Sequence, residues 1–327
     1  MKRFLKILGM AGIAIVVLIA AGAVYFFRTF PKSKPAANLR ITATPERIAR
    51  GRYLAHHVTA CVDCHSTHDR RYFASPVVAG TEGKGGEKYD EEIGVVYARN
   101  LTPAGLGNWT DGEIVRAVTS GIDKDGKALA PLMPYTEYKA LAPEDAYAIV
   151  AYLRTLPPIP NEVPKSQMHF PFNLIMQTIP EPVELQEGPN PADSVAYGKY
   201  LVKIAGCQFC HTPAEKGEPL PGMDFAGGFE FKFPDNSVVR SANITPDYDA
   251  GIGALSRAEF IARFKEYAQP ELRQIPVNGF EQQTVMPWLM YAGMTEQDLG
   301  AIYSYLRTVP PMQHSVERRP ATAILSE

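Results

Sequence analysis

Cysteine is scarce in this chain, with only four residues among 327. Small secreted domains that depend on disulfides are far denser in cysteine, so a disulfide framework is excluded as the main source of stability. The chain is not short of apolar residues (46%), and its charged fraction of 21% is ordinary, which excludes a disordered chain. A chain of this length has room for two or three folded domains.

Acidic residues are absent from the first 34 positions, which hold six basic ones. The remainder therefore carries 27 basic and 35 acidic residues, a net charge of −8. This balance argues against a nucleic-acid partner. The mild acidity suits docking to a basic protein, and it suits equally well a solvated surface that keeps the domains soluble.

Charged residues are also absent from positions 7–27. At about 1.5 Å per residue, a helix of this length crosses a hydrocarbon core of about 30 Å. Basic residues precede the run, so the positive-inside rule keeps the N-terminus cytoplasmic and exports the rest. The alternative is a signal peptide cleaved near the Ala-Gly-Ala at 21–23, but the aromatic residues that follow favour an anchor. We expect a single-pass anchor in the inner (cytoplasmic) membrane with periplasmic domains.

All four cysteines lie in two copies of one pattern, Cys-x-x-Cys-His. Zinc ligation and redox-active cysteine pairs do not require a histidine directly after the second cysteine. Two thiols can instead add to the vinyl groups of one haem, and the adjacent histidine then ligates the iron. The sequence therefore predicts two covalently attached haem c groups. The residues concerned are Cys61, Cys64 and His65 in the first copy, and Cys207, Cys210 and His211 in the second.

The sequence around the two motifs is repeated as well. Helical periodicity dominates both copies, and an extended stretch with a turn at 234–237 predicts a small β-hairpin. Two homologous, mainly α domains explain the repeat. The matching stretches are 51–54 with 198–201, 95–103 with 238–246, and 148–158 with 301–311.

The apolar N-terminal run and the repeat divide the chain into six predicted segments. They are a transmembrane anchor (1–30), a tether (31–44), a first domain (45–158), a Pro-rich linker (159–192), a second domain (193–312) and a C-terminal tail (313–327).

The second axial ligand decides whether a haem iron carries electrons or binds a substrate. Met133 and Met286 occupy matching places before the last helix of each repeat, and each is followed by proline and an aromatic residue. Methionine more often fills a core than ligates iron, yet the match between repeats favours both as ligands. The unmatched alternatives are Met223, Met290 and Met294, together with His56, His57, His68, His169 and His314.

Four further residues are candidates to contact a haem edge or propionate. Tyr135 and Trp288 follow the two methionines, although buried aromatic residues that merely pack are as common. Arg99 and Arg240 qualify by charge alone, and a solvated arginine is the simpler interpretation.

At these residues the chain resembles the class I c-type cytochromes, in which a first helix with a glycine and an aromatic residue crosses the last helix. The resemblance implies a tandem repeat of two class I cytochrome c domains, each with a small β-hairpin insertion. The tandem form is similar to the haem subunits that accept electrons from membrane-bound alcohol, aldehyde or gluconate dehydrogenases. The resemblance extends from about residue 45 to residue 311. This chain differs from those subunits in having two motifs where they usually have three, and in having an N-terminal anchor. The matching residues are Gly51 and Tyr53 with Tyr152 and Leu153, and Gly198 and Tyr200 with Tyr305 and Leu306.

These patterns predict an electron carrier and not an enzyme. We expect redox protein partners, namely a periplasmic or membrane dehydrogenase as donor and an oxidase or small cytochrome as acceptor. No small-molecule substrate is expected, because His/Met ligation saturates both irons. Two alternatives stay open: a dihaem peroxidase or thiosulfate-type oxidoreductase with one open haem, and the haem c subunit of a terminal oxidase.

Overall fold

A computed structural model describes residues 1–215 and 217–320, so positions 321–327 of the C-terminal tail lie outside the described residues. The prediction of a mainly α fold is confirmed, since helices dominate this part of the chain. The helices are α1 (Lys2–Thr29), α2 (Pro45–His57), α3 (Cys61–Cys64), α4 (Pro103–Leu106), α5 (Asp111–Ser120), α6 (Tyr135–Tyr138), α7 (Pro143–Leu153), α8 (Phe172–Ile175), α9 (Ser194–Ile204), α10 (Cys207–His211), α11 (Arg257–Lys265), α12 (Trp288–Tyr291) and α13 (Glu296–Leu306).

Helix α1 is apolar throughout its middle and buries none of its 28 residues against the rest of the chain. Its length and composition are sufficient to cross a membrane, and a signal sequence near an N-terminus has the same properties. This helix is therefore a candidate membrane anchor.

In each half of the chain, the first long helix crosses the last one at a glycine. Helix α2 packs on α7, and α9 packs on α13. A Cβ atom on Gly51 would stand 1.8 Å from the carbonyl oxygen of Ala148. Gly198 lies against Ala301 in the same way, at 1.9 Å. Such a close approach of two helices leaves no space for any side chain, so both crossings require glycine.

The two crossings bury matching apolar residues. Leu54 and Ile149 are fully buried in the first, and Leu201 and Ile302 occupy the same places in the second. Burying one such side chain contributes about 1.5–3 kcal/mol. A proline pair begins four residues after the end of α7 and of α13, where the chain leaves each crossing.

Short antiparallel strands accompany the helices. The strands are β1 (Lys88–Glu91), β2 (Gly94–Tyr97), β3 (Gln167–Met168), β4 (Ala214–Glu215), β5 (Glu218–Pro219), β6 (Glu230–Lys232) and β7 (Val238–Arg240). The pair β6–β7 aligns Phe231 with Val239, and in the turn between them the Ser237 amide donates to the Asp235 carboxylate. In the first half, β1 pairs with β2, and β3 from the linker adds to β2.

The segment predicted as a tether packs on the first half. The Ile41 amide donates to the Asp111 carboxylate at 2.9 Å, and the Ala37 carbonyl lies where a side chain of Gly112 would be. These contacts hold the tether on α5. The segment between the end of α1 and the first half is therefore short.

Residues 266–284, between α11 and α12, form a clamp on the first half, which has no equivalent segment. Its backbone pairs with the loop after the first cysteine motif: the Phe73 amide donates to the Ile275 carbonyl, and the Val277 amide to the Arg71 carbonyl, both at 2.9 Å. The Gln283 side-chain amide donates to two carbonyls of the same loop. The two halves are thus hydrogen-bonded to each other through backbone groups.

The glycine crossings generate a stability prediction. Gly51→Ala and Gly198→Ala should each lower the free energy of unfolding by about 2 kcal/mol or more, because the new methyl group overlaps a backbone carbonyl. Urea unfolding followed by circular dichroism measures the change. Gly12→Ala in α1 is the control, since a Cβ atom there meets nothing within 4 Å. Unchanged stability in both crossing variants would contradict the packing described.

Candidate functional site

Each Cys-x-x-Cys-His motif forms a helical turn directly after the first long helix of its half. The residue before each first cysteine is left-handed, with φ of 52° at Ala60 and 71° at Gly206. This conformation reverses the chain and starts the turns α3 and α10. All four cysteines are free thiols. The two motifs therefore have the same local structure, with both thiols available for thioether bonds.

The motif histidines are oriented by the backbone. Nδ1 of His65 lies 2.7 Å from the carbonyl oxygen of Arg99, and Nδ1 of His211 lies 2.7 Å from that of Ala242. A carbonyl only accepts, so each Nδ1 carries the hydrogen, and in the neutral imidazole Nε2 then keeps its lone pair. Burial lowers the pKa of both imidazoles and so favours this neutral form. A neutral imidazole with Nδ1 bonded to a carbonyl is the usual state of a metal-ligating histidine.

A side-chain network holds these carbonyls in place. Asn100 Oδ1 accepts from the Thr102 amide at 2.9 Å and from the Thr102 hydroxyl at 2.7 Å, and its Nδ2 donates to the Ile159 carbonyl at 2.8 Å. Asn100 and Thr102 lie in the stretch 95–103 that matches 238–246, so this match was the sequence signal for the network. The second half makes the same three bonds, at 2.9, 2.7 and 2.8 Å, among Asn243, Thr245 and Met312.

A glycine closes the loop between each histidine and its carbonyl partner. The Gly85 amide donates to the His65 carbonyl at 2.8 Å, with φ of 71°. A Cβ atom on Gly85 would lie 2.5 Å from the carbonyl carbon of Arg99. Both the left-handed backbone and the close contact favour glycine here. Gly227, with φ of 74°, repeats these contacts to His211 and Ala242.

The methionine loops lie beside the attachment turns. Met133 and Met286 are partly buried against the core and start the same backbone turn, in which the amide two residues on donates to their carbonyl at 2.8 Å. Tyr138, at the end of α6, donates its hydroxyl to the Thr59 carbonyl, two residues before the first cysteine. The Tyr291 hydroxyl makes the matching bond, at 2.6 Å, to the carbonyl of Ala205. Each loop that carries a methionine is thus tied to the attachment turn of its own half.

One buried polar atom at this site lacks a protein partner. Tyr135 is 2% exposed, and its hydroxyl makes no hydrogen bond within the described part of the chain. An unpaired buried hydroxyl costs about 1–3 kcal/mol, so a polar group of a bound molecule would stabilise it. Free thiols, neutral imidazoles with a free Nε2, partly buried thioethers and this hydroxyl together fit haem c.

The other candidates are engaged elsewhere. Arg99 pairs with Asp123 and Arg240 with Glu230, so neither guanidinium depends on a ligand for a partner. Although burial lowers it, the carboxylates of Asp63 and Glu87 raise the pKa of His68 to about 9, and a protonated imidazole cannot ligate iron. The remaining histidines face protein groups: His56 the Tyr152 hydroxyl, His57 the Met290 carbonyl, His169 the Glu92 carbonyl and His314 the Ala226 carbonyl.

Comparison with known proteins supports a haem site. The chain is 30% identical to the fructose dehydrogenase cytochrome subunit of Gluconobacter japonicus over 301 residues, which are 87% of this chain and 57% of that protein. It is 29% identical to the cytochrome c subunit of a quinone alcohol dehydrogenase of Komagataeibacter europaeus, covering 88% of this chain and 62% of the relative. A dihaem c-type cytochrome of Cereibacter sphaeroides is 27% identical, with 75% of this chain and 88% of that protein covered.

The resemblance to haem subunits of dehydrogenases is thereby confirmed. The chain spans about three fifths of the length of the two dehydrogenase subunits and most of the dihaem cytochrome. No family model matches the chain.

The asparagine network generates a prediction about the site. Asn100→Ala should lower the free energy of unfolding by about 3 kcal/mol, because it leaves the Thr102 amide and hydroxyl and the Ile159 carbonyl without their partner. Asn173→Ala, at an exposed position of α8, should change it by less than about 0.5 kcal/mol. Equal effects of the two substitutions in urea unfolding would show that the network does not stabilise the site.

Proposed function

We propose that this relative of dehydrogenase cytochrome c subunits is a membrane-anchored dihaem electron-transfer protein. Each half carries one covalently attached haem c with histidine and methionine as axial ligands. The protein relays single electrons from a dehydrogenase to a respiratory acceptor and catalyses no reaction of its own.

The observation that supports this most directly is the repeated bond between Nδ1 of the motif histidine and a backbone carbonyl, at 2.7 Å in both halves. A histidine that only packs has no need for a fixed tautomer. Here the tautomer is fixed twice, beside two free thiols each time, and Nε2 is the nitrogen left for iron.

The chain's own residues have separate tasks in this proposal. The thiols of Cys61, Cys64, Cys207 and Cys210 attach the haems, which cannot then be lost outside the cytoplasm. His65 and Met133 would hold one iron, and His211 and Met286 the other. When bound, the iron supplies one-electron chemistry; thioether ligation and burial raise its potential, as suits transfer towards an oxidase.

Membrane attachment and partners follow from α1 and from the relatives. Basic residues at positions 2, 3 and 6 precede the apolar stretch, so α1 would keep its N-terminus cytoplasmic and place both halves in the periplasm. Two relatives are named as cytochrome subunits of fructose and alcohol dehydrogenases. We therefore infer a membrane or periplasmic dehydrogenase as donor, with an oxidase or small cytochrome as acceptor.

Axial ligation is tested by substitution. The ferric protein should show the weak near-infrared band of methionine-ligated haem, and Met133→Ala and Met286→Ala should each remove about half of its intensity. Met223→Ala is the control, because Met223 has no counterpart in the first half. Full intensity in both single variants would rule out this pair of ligands.

Electron transfer without an open site is tested with carbon monoxide. The reduced protein, purified in mild detergent, should take up no stoichiometric carbon monoxide, because both faces of both irons are occupied. Rapid uptake by one haem per chain would contradict the proposal and favour the alternative of an enzyme with one open haem.

A further inference from the structure

Two hydrogen bonds join the halves of the chain reciprocally. The Tyr53 hydroxyl in α2 donates to Asp298 of α13 at 2.6 Å, and the Tyr200 hydroxyl in α9 donates to Asp145 of α7 at 2.7 Å. Each tyrosine stands two residues after the glycine of its helix crossing, and each aspartate is the third residue of its helix. The same bond is therefore made twice, in opposite directions, as in a two-fold symmetric dimer.

Both hydroxyls also accept a hydrogen bond across this interface. The Thr295 amide donates to the Tyr53 hydroxyl and the Ala142 amide to the Tyr200 hydroxyl, each at 3.1 Å. Thr295 and Ala142 are the residues that precede α13 and α7. The carboxylates that accept from the tyrosines are almost fully buried, with Asp298 6% and Asp145 9% exposed. Each tyrosine thus fixes the start of the other half's last helix.

The interface extends to the methionine loops. Helix α9 packs on α6, and α12 packs on α2, so each half contacts the helix that follows the other half's methionine. Lys203 Nζ lies 2.7 Å from Glu137 in the first contact, and His57 Nδ1 lies 3.1 Å from the Met290 carbonyl in the second. The position of one half therefore constrains the proposed ligand loop of the other.

Each attachment turn follows closely on a helix of this interface. Turn α3 starts four residues after the end of α2, and α10 starts three residues after the end of α9. The tyrosines that make the reciprocal bonds lie in these same two helices, so the bonds constrain where each turn begins.

We propose that Tyr53, Tyr200, Asp145 and Asp298 are positioning residues that set the separation of the two haem sites for electron transfer within the chain. The proposal rests on the proposed function. An apolar contact between two halves can slide, whereas four hydrogen bonds with fixed partners specify one arrangement. An electron that enters at either half then has one defined route to the other.

The two tyrosine–aspartate bonds differ in whether an arginine also binds the aspartate. Arg50 binds Asp145 through Nε and Nη2, both at 2.8 Å, in addition to Tyr200. At the place in α9 that matches Arg50 stands Tyr197, which has no positive charge. Asp298 therefore depends more on its tyrosine than Asp145 does, and loss of the Tyr53 hydroxyl should be the more disruptive change.

The test uses Tyr53→Phe, Tyr200→Phe and the double variant in the full-length haem protein. Tyr303→Phe is the matched control, since Tyr303 also lies in α13 but donates to the Leu255 carbonyl of its own half, at 2.8 Å. Haem per chain is counted first. The magnetic interaction between the two ferric haems is then measured by electron paramagnetic resonance, and exchange of the Thr295 and Ala142 amides by hydrogen exchange.

With two haems per chain, we expect the haem–haem interaction to fall by at least half in the double variant and to stay unchanged in Tyr303→Phe. Exchange at Thr295 should rise about tenfold in Tyr53→Phe, the effect of one lost hydrogen bond, and exchange at Ala142 should rise less in Tyr200→Phe.

Two haems with an interaction that survives in the double variant, or that falls equally in Tyr303→Phe, would overturn this inference and leave the proposed function intact. Fewer than two haems in the unmodified chain would overturn both. If the variants that lack the Tyr53 hydroxyl fail to fold, Tyr200→Phe decides by the same criterion, with a reduced interaction supporting the inference and an unchanged one overturning it.

Discussion

The bond from each motif histidine to a backbone carbonyl is the constraint on which the rest of the site depends. It fixes the tautomer of His65 and His211, and thereby leaves one particular nitrogen free to ligate. A carbonyl can hold an imidazole only if its own loop is rigid. The asparagine–threonine network and the left-handed glycine after each motif supply that rigidity, and both occur in each half with nearly the same distances.

The helix crossings provide the frame for these loops. Because Gly51 and Gly198 permit contact between helix backbones, the end of each first helix, and the cysteine turn that follows it, lies at a set place relative to the last helix. The hydroxyls of Tyr138 and Tyr291 then tie the methionine loops to the same turns. Local sequence, packing and the donor set for haem are consistent with one another, as expected of a sequence that specifies one structure.

Much of the site could be predicted because its chemistry depends on residue types at fixed short spacings. Cys61, Cys64 and His65 lie within one helical turn, and the glycines and prolines around the helices constrain the backbone locally. The partners of the histidines could not be predicted, since a backbone carbonyl such as that of Arg99 has no signature in its own side chain. The bond between Tyr53 and Asp298 links residues 245 positions apart and depends on how the halves pack. The tyrosine and the aspartate each occur at matching positions of the two repeats, but only the fold shows that the tyrosine of one half contacts the aspartate of the other.

The two halves resemble each other most where the proposed haems attach and least in two segments that pack on the first half. Residues 266–284 clamp the first half from the second, and the segment after α1 packs on α5, and both features break the symmetry. The first half is thus the one that is packed against the segment following the candidate anchor.

The central claim is that both cysteine motifs hold covalently attached haem. The most direct measurement is the mass of the intact chain, followed by the masses of its two cysteine-containing peptides after proteolysis, on protein purified from cells that mature c-type cytochromes. The account predicts one porphyrin adduct on each peptide. A colourless protein with both peptides unmodified would contradict it.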